Sequence, residues 1–113
     1  DNSDLRKRLV LMSCSVIWEF AVEERLRPEF ERAYAPGGPW ARLFSEGDGF
    51  LETRLLRAKE SPGVYQTIDR WASREAYANF KRSFAERYDA LDEEVGDLSR
   101  RETYIGLFDE IDV

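Results

Sequence analysis

The sequence predicts an α+β domain running strand, helix, strand, strand, helix, strand, the split βαβ order of ferredoxin-like folds with one antiparallel sheet. Three observations predict it. A period-two apolar pattern opens the domain at residues 13–22. Two strand-rich runs separated by a Ser-Pro-Gly segment fill its middle. An aromatic stripe at three- and four-residue steps then marks a long helix before a last strand.

In the first strand Cys14, Val16, Trp18, Phe20 and Val22 alternate with Ser15, Ile17, Glu19 and Ala21. Pro28 suits the first turn of a helix carrying Phe30, Ala33 and Tyr34, and Pro36, Gly37, Gly38 and Pro39 stop it. A second short helix restarts at Pro39 with Trp40, Leu43 and Phe44 at helical spacing, and Gly47 and Gly49 end it. Residues 50–59 and 64–72 read as a hairpin around Ser61, Pro62 and Gly63. Ser73 is the expected N-cap of one long helix bearing Tyr77, Phe80, Phe84, Tyr88, Leu91 and Val95, which Gly96 closes. Residues 102–108 return as the last strand. Ile17 and Ala21 lie on one side of the first strand and Trp18 and Phe20 on the other, so both faces of the sheet are expected to be buried.

Composition narrows the function classes. At 113 residues the chain has the length of one domain, near the size at which a partner helps complete the core. With 42% hydrophobic and 35% charged residues it is too rich in core formers for a disordered chain and too polar for a membrane protein. A formal net charge of -6 repels a phosphate backbone, which argues against nucleic acid as a partner. Cys14 is the single cysteine, so no intrachain disulfide forms, and a reducing cytoplasmic setting is expected. It reads as a small buried hydrophobe rather than a nucleophile, because the sequence has no histidine to activate it. The same lack removes Ser-His and Cys-His pairs, His-ligated zinc and iron, and haem held by a proximal His. Residues 1–12 read as an N-terminal extension ahead of a domain at 13–113. Either Met12 is the natural initiator behind an upstream remnant, or this stretch is an arm or short helix packed on a partner; its apolar run at 9–12 is too short to anchor in a membrane.

The segments Val16-Ile17-Trp18-Glu19-Phe20, Trp40-Ala41-Arg42-Leu43-Phe44, Tyr65-Gln66-Thr67-Ile68-Asp69-Arg70-Trp71 and Ser73-Arg74-Glu75-Ala76-Tyr77-Ala78-Asn79-Phe80 resemble the antibiotic-biosynthesis monooxygenase family. The strand ending in Trp71, followed by a Ser-capped helix with Tyr77 and Phe80, is the most specific part. The resemblance implies a homodimeric α/β barrel with a separate pocket in each subunit between sheet and helices. It also implies oxygenation without metal or flavin, in which an electron-rich phenolic substrate activates dioxygen itself. The haem-degrading branch of the superfamily uses an Asn on the first strand and a Trp and His on the second helix. Here Trp18, Glu19 or Phe20 falls in the Asn region, Phe80 at the Trp position and Ala90 near the His position, which argues against haem degradation.

The candidate catalytic residues are Asp69, Arg70 and Tyr65. A carboxylate within a strand is costly to bury, and burial gives it the raised pKa of a general base. Glu19 is a weaker candidate of the same kind. Arg70 and Arg54 are charge-assisted donors suited to a phenolate or peroxide anion, or else partners for Glu19 and Asp69. Period two sets Tyr65, Thr67, Asp69 and Trp71 on one face and Arg70 on the other, so Asp69 and Arg70 cannot pair across one face. Trp18, Trp71, Tyr77, Phe80 and Tyr88, with Trp40, are candidate walls for a planar ring, their alternative being plain core. Acidic runs at 92–94 and 109–112 lack calcium-loop spacing and read as solvated surface, so no cofactor or metal is expected. Two functions remain open: a cofactor-independent monooxygenase acting on a small aromatic or quinol-type metabolite, and a non-catalytic dimeric module that binds a small ligand or only stabilises an assembly. A cyclisation or isomerisation, needing a general base alone, is a third.

Overall fold

The computed structural model describes residues 12–111, so the extension predicted at 1–12 lies outside the described residues except for Met12. Four strands, β1 (Cys14–Ala21), β2 (Phe50–Arg57), β3 (Val64–Trp71) and β4 (Arg101–Asp109), form one sheet in the order β2-β3-β1-β4, every neighbouring pair antiparallel. Four helices, α1 (Arg27–Tyr34), α2 (Pro39–Phe44), α3 (Arg74–Ser83) and α4 (Ala85–Val95), contribute the buried side chains that pack against it. This is the predicted ferredoxin-like α+β architecture, and among the described residues no helix is long and apolar enough to cross a membrane.

Registers assign each side chain to a face. Across the sheet, Thr53, Asp69, Val16 and Leu107 form one row, and Leu55, Thr67, Trp18 and Tyr104 the next. Phe20 stands between Tyr65 and Glu102. These rows face the helices. Two irregularities shift the edge strands: β2 slips by one residue between Phe50 and Glu52, and β4 is bulged opposite Ile17 and Trp18, leaving Ile105 unpaired. Because of that bulge, Tyr104 and Leu107 face the same way despite their odd spacing.

The helices form where the sequence ends them. Pro28 occupies the first turn of α1, which buries Phe30, Ala33 and Tyr34, and Pro39 opens α2, which buries Trp40, Leu43 and Phe44. Phe20 meets Phe30 and Tyr34 at 5.1 and 4.9 Å between ring centroids, joining β1 to α1. Ser73 caps α3 by accepting a hydrogen bond from the Ala76 N–H at 3.0 Å. Trp71 is fully enclosed, with Phe80 at 5.0 Å and Phe44 at 6.0 Å.

The single long helix expected from Ser73 to Gly96 is in fact two. Phe84 leaves helical geometry (φ -113°, ψ 19°), and its ring stacks on Phe80 at 5.0 Å with 18° between the planes. Neither proline nor glycine marks the break, and the aromatic spacing continues across it, so periodicity alone could not reveal it. The hairpin turn depends on Gly63 at φ +83°, where a Cβ would fall 2.6 Å from the Val22 carbonyl oxygen.

The opposite face of the sheet carries Ile17, Ile68, Leu56 and Phe108 together with Glu19, Glu52, Arg54 and Arg70. Leu56 and Phe108 are each 46% exposed, so among the described residues this face has no cover.

Candidate functional site

A pocket opens between the sheet and the helices. Its floor is the middle of the sheet: Trp18 and Phe20 from β1, Thr67 and Asp69 from β3, and Thr53 from β2. Tyr34 from α1, Trp40 and Phe44 from α2 and Tyr88 from α4 form the walls, and Glu102 from β4 lies at one side. Alternation places the floor residues, since every second side chain of β1 and β3 points to the helices. The Trp40 and Tyr88 rings meet edge to face at 4.9 Å, and Trp18 packs on Tyr104 at 5.1 Å.

The site is a narrow slot. Its volume is about 380 Å³ when the open mouth is included, but only about 30 Å³ admits the centre of a water-sized molecule. That holds one or two waters. Entry of a ring requires side chains at the walls to move, and Tyr104, against which Trp18 rests, is half exposed.

Asp69 is the chemical centre of the slot. It is 7% exposed, and its Oδ1 accepts a hydrogen bond from Thr53 Oγ1 at 2.7 Å. Among the described residues no second hydrogen bond and no cation reach this carboxyl. Burial raises its pKa to about 7, with the Thr53 bond opposing the shift. Glu102 is also pushed up, by burial and then by the charge of Asp92. Burial raises the hydroxyls of Tyr34 and Tyr88 above the ordinary phenol range. Both therefore stay protonated at neutral pH. Trp40 Nε1 is buried and makes no well-formed hydrogen bond among the described residues, though it lies close enough to the Tyr34 hydroxyl to oppose the rise of its pKa.

Of the residues singled out from sequence, Asp69, Trp18, Tyr88 and Trp40 converge on this slot. The others lie elsewhere. Arg70 is on the opposite face of the sheet, paired with Glu52 at 3.5 Å and Glu110 at 3.0 Å, so it does not share a site with Asp69 within one chain. Tyr65 faces the helices, but its hydroxyl is committed to Glu31 and it does not line the slot. Trp71 and Phe80 are packed core, and Tyr77 leans on Trp71 at 5.8 Å. Burial first, then Tyr104 and Asp69, lifts the Tyr77 hydroxyl to about 12. Glu19 and Arg54 sit on the open face, paired with Gln66 and Glu52.

Thr53, Thr67, Tyr34, Phe44 and Glu102 were not among the sequence candidates. A register counted outward from the hairpin turn would have found Thr53, which stands directly across from Asp69. No local signal marks Glu102. Among the described residues, no group of three or more His, Cys, Asp or Glu side chains is arranged to hold a metal ion.

An antiparallel sheet under helices with a polar-floored aromatic slot between the layers defines a class of small ferredoxin-like proteins with an interlayer pocket. The family model for antibiotic biosynthesis monooxygenase matches residues 14–90, and the chain belongs to that family. Among solved structures it is similar to a point mutant of SnoaB, a cofactor-independent oxygenase from Streptomyces nogalater: 22% identity over 89% of this chain and 95% of that one, TM-score 0.61. It is also similar to a conserved protein from Methanosarcina mazei Go1 (14% identity, 93% and 99% coverage, TM-score 0.66). A third similar structure is a point mutant of MhuD with two manganese protoporphyrin IX bound per active site (23% identity, 88% and 97% coverage, TM-score 0.68). At such identities these likenesses show a shared fold. No curated protein matches the sequence.

Proposed function

We propose that the chain is a cofactor-independent monooxygenase-like enzyme acting on a small aromatic or quinol-type metabolite. The observation that carries this reading is Asp69, a buried carboxyl with a pKa near neutrality on the floor of an aromatic-walled slot. In the proposed reaction Asp69 takes the proton of a phenolic hydroxyl, and the electron-rich anion reduces dioxygen directly. A C–O bond forms at a ring carbon, the O–O bond breaks, one oxygen stays as a carbonyl and the other leaves as water. The substrate gives up four electrons, the number that dioxygen takes. Substrates are therefore phenols with an oxidisable ring CH or CH₂ that can become a quinone-type carbonyl. Tyr34, Tyr88 and Trp40 would donate hydrogen bonds to the developing oxyanions, in a site from which the walls exclude water.

Oxygen uptake by chelator-treated protein, supplied with phenols of increasing ring number, tests the proposal. Uptake with water as the reduced product, lost in Asp69→Asn, is expected; no uptake with any electron-rich phenol would defeat it. The narrowness of the slot favours a second reading, a module that binds a small ligand without converting it. Thermal stabilisation by a phenol that is recovered unchanged under oxygen would establish that reading instead.

The proposal includes a homodimer, in which the uncovered sheet face carrying Leu56 and Phe108 packs on that of a second copy. It also places the protein in the cytoplasm, where a single buried Cys14 fits the reducing milieu.

A further inference from the structure

We infer that the slot selects a ring bearing a cationic amine over the same ring bearing a carboxylate. The inference rests on the reading of the slot as a ring-binding site, and it adds the charge of the substrate.

Two charged side chains line the slot, Asp69 and Glu102, and both are acidic. A third acid, Asp92, lies near enough to raise the pKa of Glu102. Among the described residues no Lys or Arg lines the slot, and the chain has no histidine. Of the sheet's four arginines, Arg54 and Arg70 pair with Glu52 on the opposite face, Arg57 pairs with Glu31 at 3.3 Å, and Arg101, opposite Ala21 on β4, is not a lining residue. Among the described residues nothing lining the slot offsets its acids. A ligand can supply that charge.

Acidic character alone would not make a binding site. Two independent features aim at a ligand here. Asp69 is more than nine-tenths buried, and among the described residues no cation contacts it and only Thr53 satisfies it. The walls, moreover, are aromatic. Trp18, Tyr34, Trp40 and Tyr88 surround the space, and aromatic faces attract cations while their negative quadrupole repels anions. Tyr88 already shows this behaviour, with the Lys81 ammonium 4.6 Å from its ring centroid, although Lys81 is not a lining residue. An ammonium between these rings and the two carboxylates is favoured twice. A carboxylate in the same place would be desolvated beside like charge with no counter-ion.

The test uses three phenols whose para substituents are cationic, neutral and anionic: tyramine, 4-methylphenol and 4-hydroxyphenylacetate. Affinities are measured by calorimetry at pH 8, where Asp69 is mostly ionised. Tyramine is expected to bind at least about tenfold more tightly than 4-hydroxyphenylacetate, with 4-methylphenol between them. Glu102 is an exposed residue of an edge strand, so its variants should keep the fold, which circular dichroism would check. Glu102→Gln should narrow the gap by about threefold, and Glu102→Lys should narrow it further. Equal affinities, a reversed order, or no binding by any of the three would overturn the inference, whatever the variants do. The ordered series without oxygen uptake would uphold it while refuting the oxygenase. Oxygen uptake with no dependence on charge would do the reverse.

Discussion

Replacing Asp69 by Asn should make the protein more stable at pH 8 and change it little at pH 4. In the folded chain this carboxyl titrates near 7 instead of the ordinary 3.8, because burial penalises its charged form. Between those two values the folded state holds a proton that the unfolded state has released. Stability then falls as pH rises, since its slope follows the protons bound by the unfolded state minus those bound by the folded one. The contribution is fully present below about pH 4 and lost once the pH passes 7. A shift of roughly three units at about 1.4 kcal/mol each gives a total near 4 kcal/mol, of which roughly 2–3 falls between pH 5 and pH 8. Asn keeps the shape and can still accept the Thr53 hydrogen bond, but it has no charge to bury. Urea denaturation of both proteins from pH 5 to 8.5 provides the assay, and taking their difference cancels every other titrating group. The Asn variant should gain roughly 2–3 kcal/mol relative to the parent over that interval, equivalent to about 1–2 M in the urea midpoint. A difference that stays flat across this range would show that Asp69 titrates as an ordinary carboxylate, and would remove the base from the proposed chemistry. The ionised form that would accept a proton is thus also the less stable one, as in active sites that trade stability for function.

Other perturbations probe the scaffold. Ser73→Ala removes the cap of α3 and should cost about 1 kcal/mol, lowering Tm by about 4 °C in a thermal melt. Gly63→Ala forces a side chain into positive φ against the Val22 carbonyl and should cost about 1–3 kcal/mol in urea unfolding; an unchanged midpoint would mean that the turn relaxes freely. Phe108→Glu places a charge on the uncovered sheet face and should convert a dimer to a monomer in analytical ultracentrifugation. A parent protein that sediments as a monomer at micromolar concentration would refute the proposed dimer.

Much of this molecule follows from local chemistry. Alternation in 14–22, proline and glycine between the first two helices, the turn around Gly63 and the Ser73 cap each act within a few residues, and together they determine the element order. Alternation also determines that Asp69 shares a face with Tyr65 and Trp71 while Arg70 does not, as the strand registers bear out. Other features arise only when distant segments meet. The break at Phe84 comes with stacking on Phe80 and leaves no trace in the spacing of the apolar residues. Tyr65 has the look of an active-site hydroxyl in the sequence, but the fold brings Glu31 to it from α1. Thr53 becomes the partner of Asp69 through hairpin register. Glu102 depends most on tertiary structure. In an unbroken β4, residues 102 and 104 would point away from the helices, because Leu107 and Asp109 point toward them; the extra residue at Ile105 reverses the alternation and turns Glu102 and Tyr104 to the helix side. The period of two is a property of the chain, but its phase on an edge strand is decided by pairing with β1, which lies at the other end of the domain in sequence.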